Sequence, residues 1–362
     1  MTTHDELKVL SPGGLQQFWH LQPDAVAAVT TRLHDAYGSR NERTGTADLV
    51  ACREDLTFHL EFLRPVLEFG LLQPMVDYLL WFASVQTARG MPAVYLTQSL
   101  DWLADFFAET MDSAEAAVVA NALWAARKKF VDSINAPMVT PQAPVAWAQA
   151  AAFEAALLSG SQREALGIVN TCLDDDKSLI EVQLHVIQPA LYSIGEKWQA
   201  NLVSVAQEHM ATAVVESVMT VALLRSPPPV PNGRRVLLAC VAGNHHAIGL
   251  RMVADSFLLS GWEVEYLGAN VPTPALVQQV ADWKPDVVGL SVSFAQQLGT
   301  VKTVIAALTE RLGAARPAVI VGGLAVNRFN HLAVAAGADA SGVDALVAVD
   351  SANGILGSRS SR

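Results

Sequence analysis

Two adjacent imidazoles, His245 and His246, stand in the segment Gly243-Asn244-His245-His246-Ala247-Ile248-Gly249. A neutral imidazole is a good ligand for a transition metal, and a partner on its second nitrogen fixes the tautomer and tunes basicity. The apolar run Arg235 to Ala242 just before it predicts a buried strand, and the pattern through Phe257, Leu258 and Leu259 after it predicts a helix. A histidine at that junction sits beyond the carboxyl end of a strand, where open α/β sheets bind their ligands. Asn244, two residues before His246, can accept a hydrogen bond but cannot ionise near neutral pH.

Other residues of chemical interest fall at similar junctions. Ser291-Val292-Ser293 closes the apolar run from Asp286, and Gly322-Gly323 closes Ala318-Val319-Ile320-Val321. Small residues at strand ends let a ligand approach the backbone closely. Trp198 ends an amphipathic pattern, and the pair Glu208-His209 falls in the first turn of the next helix, where the carboxylate complements the helix dipole. Further upstream, His59 lies on a helix, and the aromatic residues Tyr78, Trp81, Phe82 and Trp102 lie on the helices that follow it.

The elements that must position these groups form three modules. Residues 1–140 read as all-helical, with Leu56, Leu60, Leu63 and Leu67 repeating on one face and Arg89-Gly90-Met91-Pro92 ending the next helix. The proline-rich Ala136 to Pro144 breaks the chain. Residues 145–225 read as a helical bundle: Phe153–Leu158, Arg163–Leu173, Leu179–Trp198 bent or interrupted by Pro189, and a helix opened by the capping box Ser204–Gln207. A stiff linker through Pro227-Pro228-Pro229 leads to residues 234–356. There strands at 236–241, 263–267, 286–292, 318–321 and near 338–340 alternate with helices, which predicts a five-stranded, flavodoxin-like parallel sheet. Residues 351–362 read as a frayed tail.

Composition narrows the function. A formal charge of −11 argues against broad binding to phosphate backbones. No helix-turn-helix pattern is present, so direct nucleic-acid binding is not expected. No apolar stretch is long enough to span a bilayer, and the N-terminus lacks a secretory pattern. Cys52, Cys172 and Cys240 are scattered, consistent with a reducing cytoplasm.

The segment Asn244 to Gly249, with Ser291-Val292-Ser293 and Gly322-Gly323, resembles the cobalamin-binding family, whose Asp-x-His-x-x-Gly loop supplies the lower axial ligand of cobalt; here Asn244 replaces the Asp. The resemblance implies His246 as the cobalt ligand, with Asn244, His245, Ala247, Ile248, Gly249, Ser291, Ser293, Gly322 and Gly323 as cofactor contacts. Ile194 to Trp198 and Asn201 to His209 resemble the helical cap beside such domains, most closely in light-sensing cobalamin-dependent repressors. That implies Trp198, Glu208 and His209 around the upper ligand. The helices ahead of the cap resemble, in order and pattern, those of photocobilins, which join a globin-like bilin-binding domain to a cobalamin domain.

The resemblance thus implies a cytoplasmic photoreceptor and not an enzyme. It would hold adenosylcobalamin (or methylcobalamin) through His246 with light cleaving the cobalt–carbon bond, and His209 is a candidate for the freed upper position. Biliverdin or another bilin near His59 would extend absorption, and the readout would be homo-oligomer assembly or a separate output partner. One alternative is a corrinoid protein carrying methyl groups between methyltransferases. Asn244 points away from it by removing an acid–base handle, although His245 or Asp255 could partner His246 instead. The other is a haem or gas sensor with His59 on the iron.

Overall fold

The computed structural model describes residues 7–37, 46–135, 145–329 and 331–360, in two compact units, Met1–Val139 and Thr140–Arg362. The first six residues and the proline-rich break lie outside the described residues.

Five long helices build the first unit: α1 (Pro12–Tyr37), α2 (Thr46–Phe69), α3 (Leu72–Ala88), α4 (Val94–Thr110) and α5 (Ser113–Ser133). Their apolar faces meet in one core, in which the expected stripe Leu56, Leu60, Leu63 and Leu67 is fully buried. Helix α3 ends where anticipated, with Gly90 at positive φ. A globin packs eight helices; the described residues here form five, and the packing does not establish a globin-like identity.

The second unit opens with α6 (Gln149–Leu158), α7 (Gln162–Asp174) and the short α8 (Leu179–Val182). The helical path then passes through a π-helical turn, Gln183–Ile187, into α9 (Gln188–Gln199). The sequence anticipated a bend or break at Pro189, and the structure accommodates the proline with this wide turn. Pro189 has no N–H to give the His185 carbonyl. That carbonyl instead accepts the Trp147 N–H at 2.9 Å, while the Trp147 and His185 rings stack at 5.0 Å. Helix α10 (Val205–Arg225) follows, opened by the expected Ser204–Gln207 capping box.

Next comes an all-parallel sheet: β1 (Arg235–Val241), α11 (Ile248–Leu259), β2 (Glu263–Val271), α12 (Thr273–Trp283), β3 (Val287–Ser291), α13 (Leu298–Leu312), β4 (Ala318–Gly322), the short α14 (Leu324–Arg328) and α15 (His331–Ala335), β5 (Ala340–Gly342) and α16 (Ala345–Ser360). Strand order is β2-β1-β3-β4-β5. The chain leaves β1 in one direction to reach β2 and returns past it to β3, so a crevice opens between the carboxyl ends of β1 and β3. The expected tail is a correction. Residues 351–360 continue helix α16, because Ala348, Val349 and Ala352 are buried against the sheet core and Ile355 and Leu356 pack beside them.

Bundle and sheet share a core. Met252 of α11 and Ala345 of α16 lie among the buried residues of the bundle, with Ile187, Ile194, Val215 and Met219. One polar tie crosses the same boundary: the Gln183 amide donates to Asp255 Oδ2 at 2.7 Å, and Arg251 Nε donates to Asp255 Oδ1 at 2.9 Å. Asp255 is 1% exposed, and burial pushes its carboxyl above the usual range against the pull of Arg251 and Gln183. Removing a buried carboxylate strands its partners. Asp255→Ala is expected to lower the stability of the second unit by about 3 kcal/mol, read by calorimetry as a downward shift of that unit's transition.

Candidate cofactor-binding site

A cavity of about 890 Å³ lies between the bundle and the carboxyl ends of the strands. Its inner arm runs between the sheet and its helices, lined by Val236, Leu238, Gly289, Ile320, Gly342 and Ala348. At Gly289 a Cβ would meet the end of the Leu238 side chain, which would have to move aside. Gly323, at φ +101°, brings the backbone against the Val292 carbonyl so closely that a Cβ would overlap it. The outer arm is walled by Leu191, Tyr192 and Trp198 of α9 and by one face of α10, with Glu208, His209, Thr212 and Glu216 at helical spacing.

His246 stands on the floor, its ring edge-on to Phe294 at 5.1 Å. Partial desolvation lowers its pKa, Glu208 opposes that shift, and His245 adds to it. The imidazole is therefore biased toward its neutral, ligating form. On α10, the Glu208 carboxylate holds His209 Nδ1 at 2.6 Å and accepts the Thr212 hydroxyl at 3.3 Å. Nε2 of His209 is the nitrogen left for other work. Trp198 ends α9 beside Asn201, whose left-handed backbone lets Leu202 N–H return to the Lys197 carbonyl at 2.8 Å.

The His246 loop is fixed by hydrogen bonds. Asn244 Oδ1 accepts the His246 N–H at 3.1 Å and its Nδ2 donates to the Ser291 carbonyl at 2.9 Å. Gln297 Nε2 donates to the Gly243 carbonyl at 3.0 Å, while its Oε1 accepts the Ser293 and Phe294 N–H groups. Asn270, at φ +52°, takes the Gly243 N–H on its side chain at 2.8 Å. Tyr266 donates to the Ala247 carbonyl and Cys240 Sγ to that of His246. Burial raises the Cys240 thiol to about 11, so it stays protonated as a donor.

The structure gathers Trp198, Glu208, His209, His245, His246, Ala247, Ile248, Gly249, Ser291, Ser293, Gly322 and Gly323 around this cavity. It separates three others. Asn244 is fully buried beneath the loop and does not line the cavity, so its place is to orient backbone, not to touch a ligand or the His246 ring. Asp255 is committed to Gln183 and Arg251 and does not serve His246 as partner. His59 lies in the other unit, 2% exposed, with Nδ1 2.7 Å from the Tyr78 hydroxyl and its ring edge-on to Phe82. Burial lowers its pKa to about 3, which describes a neutral core histidine with a satisfied partner.

Sequence reasoning missed Gln297, Asn270, Phe294 and Glu216. For Gln297 a signal existed: it lies three residues beyond Phe294, the spacing of a residue that reaches back to cap a turn. For Glu216, spacing of two helical turns from Glu208 was the available cue.

A parallel sheet of this order, a histidine at its switch point and a helical wall opposite frame the cavity. Residues 149–223 match one model described as a B12 binding domain, and residues 234–350 match another. Together the two matches span most of the second unit and support a cobalamin cofactor there. Two curated relatives from Myxococcus xanthus are 33% identical to this chain. HTH-type transcriptional repressor CarA aligns over 160 residues, 43% of this chain and 52% of that protein. HTH-type transcriptional repressor CarH aligns over 149 residues, 41% and 48%. The chain thus spans about half the length of the curated relatives it matches. The solved monomethylamine corrinoid protein of Methanosarcina barkeri is 18% identical, covering 57% of this chain and 95% of its own, with a TM-score of 0.47.

The clamp makes its own forecast. Asn244→Ala leaves a buried N–H and a buried carbonyl without partners, which costs about 1–3 kcal/mol. Chemical denaturation of the second unit is expected to shift by that amount, with loss of the loop's amide-exchange protection.

Proposed function

We propose that the chain is a cobalamin-dependent light-responsive regulator in which His246 holds cobalt from below and the α9–α10 wall covers the opposite side. The observation that carries this is His246 facing Trp198, Glu208 and His209 across one cavity. The fit to a cobalamin rests on the donor set and the shape: a neutral imidazole suits cobalt, the outer arm has room for a flat ring, and the glycine-lined inner arm accepts a narrow tail. When bound, an adenosyl- or methylcobalamin would supply a cobalt–carbon bond that visible light cleaves.

The chain's own residues do the rest. Asn244 and Gln297 keep the His246 loop at the crevice, so the imidazole is presented without reorganisation. Trp198 and Leu191 present apolar surface to the upper side. Glu208 fixes the His209 ring, making Nε2 the nitrogen available to the upper position. The position of the bundle wall depends on what fills the cavity, and the boundary at Asp255 and Met252 is the element that would transmit a change. Regulation in place of catalysis is supported by the relatives, both HTH-type transcriptional repressors, which also leaves nucleic acid open as a partner. The readout in this reading is assembly of copies or docking to a partner. For the first unit the finer reading is a non-covalent bilin that extends absorption. Its support is helix pattern and domain order, and His59, engaged by Tyr78, adds nothing to it.

Among the described residues no helix is long and apolar enough to cross a membrane.

Absorption spectra test the reading. The chain loaded with adenosylcobalamin should show a histidine-ligated spectrum in the dark and lose its alkylcobalamin bands under green light. His246→Ala should move the dark spectrum to a water-ligated or base-on form. A chain that binds cobalamin but ignores light would favour the methyl-carrier alternative; a Soret band would favour haem.

A pH titration gives a second check. Protonation competes with coordination, and the His246 pKa lies below the ordinary imidazole value of 6.5. Affinity for cobalamin should begin to fall at a lower pH than an unperturbed imidazole would give, approaching about tenfold per unit further down. In His246→Ala the fall should vanish.

A further inference from the structure

Among the described residues the cavity is lined by three carboxylates, Glu208, Glu216 and Asp344, and by no lysine or arginine. These carboxylates are not equivalent. Glu208 is engaged by His209 and Thr212, and Asp344 Oδ1 accepts the Val347 N–H at the start of α16. The Glu216 carboxylate makes no hydrogen bond or ion pair among the described residues, and it lies exposed two turns beyond Glu208 on the same face of α10. A wall of this sign accepts N–H donors and repels anions, and no cation in the lining offsets the repulsion.

We infer that Glu216 is a specificity-determining residue that selects a corrin with amidated side chains over one bearing free carboxylates. The inference rests on the cobalamin reading above and deepens it. The periphery of a cobalamin carries carboxamides, each offering N–H donors that a carboxylate can accept. Replacing one amide by an acid removes the donors and sets two negative charges face to face. The cost falls only on a side chain that reaches Glu216. The same logic disfavours a tetrapyrrole whose propionates would enter this cavity.

The test uses the full chain and measured dissociation constants in the dark at neutral pH. Probes are cobalamin and the separate monocarboxylic acids made from it by hydrolysis of one peripheral amide. At least one acid isomer is expected to bind about tenfold or more weakly than cobalamin. Glu216→Gln should bring that isomer back to near parity, and Glu216→Lys should favour it over cobalamin. Equal binding of cobalamin and every acid isomer by the native chain would overturn the selectivity. A weakened isomer that Glu216→Gln fails to rescue would overturn the assignment to Glu216. If cobalamin itself does not bind, the cofactor reading fails, and the inference falls with it.

Discussion

The geometry of the second unit depends on one carboxamide. Asn244 sits buried at the point where strand order reverses, and its two polar atoms are used in opposite senses. The oxygen takes the backbone N–H of His246, and the nitrogen gives to the carbonyl of Ser291. Only a group with both a donor and an acceptor can do this without titrating. An ionised aspartate would set its second oxygen against the Ser291 carbonyl. The amide is thus matched to the hydrogen-bond complement of the two loops, and the price is the loss of a proton-accepting group near the histidine. The same residue makes the loop rigid and the chemistry less versatile.

Around this clamp the cavity has a division of labour. The sheet supplies a fixed floor, with Gln297 tying the loops after β1 and β3 together and Asn270 joining the end of β2 to the loop after β1. The bundle supplies a ceiling of side chains from α9 and α10. Floor and ceiling meet through apolar packing at Met252 and Ala345 and through the Gln183–Asp255 contact. A boundary mostly apolar, with one buried polar tie, can hold a defined arrangement without demanding many matched hydrogen bonds if it shifts. That is the property a cap over a replaceable ligand requires.

Much of this was legible from residue order. The strands announced themselves as short apolar runs ending in Ser291, Gly322 or the His246 loop, because parallel strands are buried on both faces. The Ser204–Gln207 box and the Gly90 stop carry local physics that needs no tertiary context. The errors have physical causes as well. Residues 351–360 read as frayed because serines and glycines weaken intrinsic helix preference, yet burial of Ala348, Val349 and Ala352 outweighs propensity. Strand β2 runs to Val271, past its expected end, because register shifts against β1 carry its pairing onward. Spacing made His59 a candidate contact; it shows which face a residue occupies and not the Tyr78 hydroxyl bonded to it. Gln297 and Glu216 escaped notice because their importance comes from loops and helices distant in sequence.

The wide turn at Gln183–Ile187 carries a consequence of angular bookkeeping. An α-helix advances about 100° per residue, and a π-helical turn accommodates one more residue than an α turn. Everything downstream of it in α9 is therefore rotated by about that angle relative to an uninterrupted helix. Leu191, Tyr192, Gly195 and Trp198 face the cavity in this phase; with the turn wound tight they would point elsewhere. The indole above the site is aimed, in the end, by a proline nine positions earlier that has no hydrogen to give.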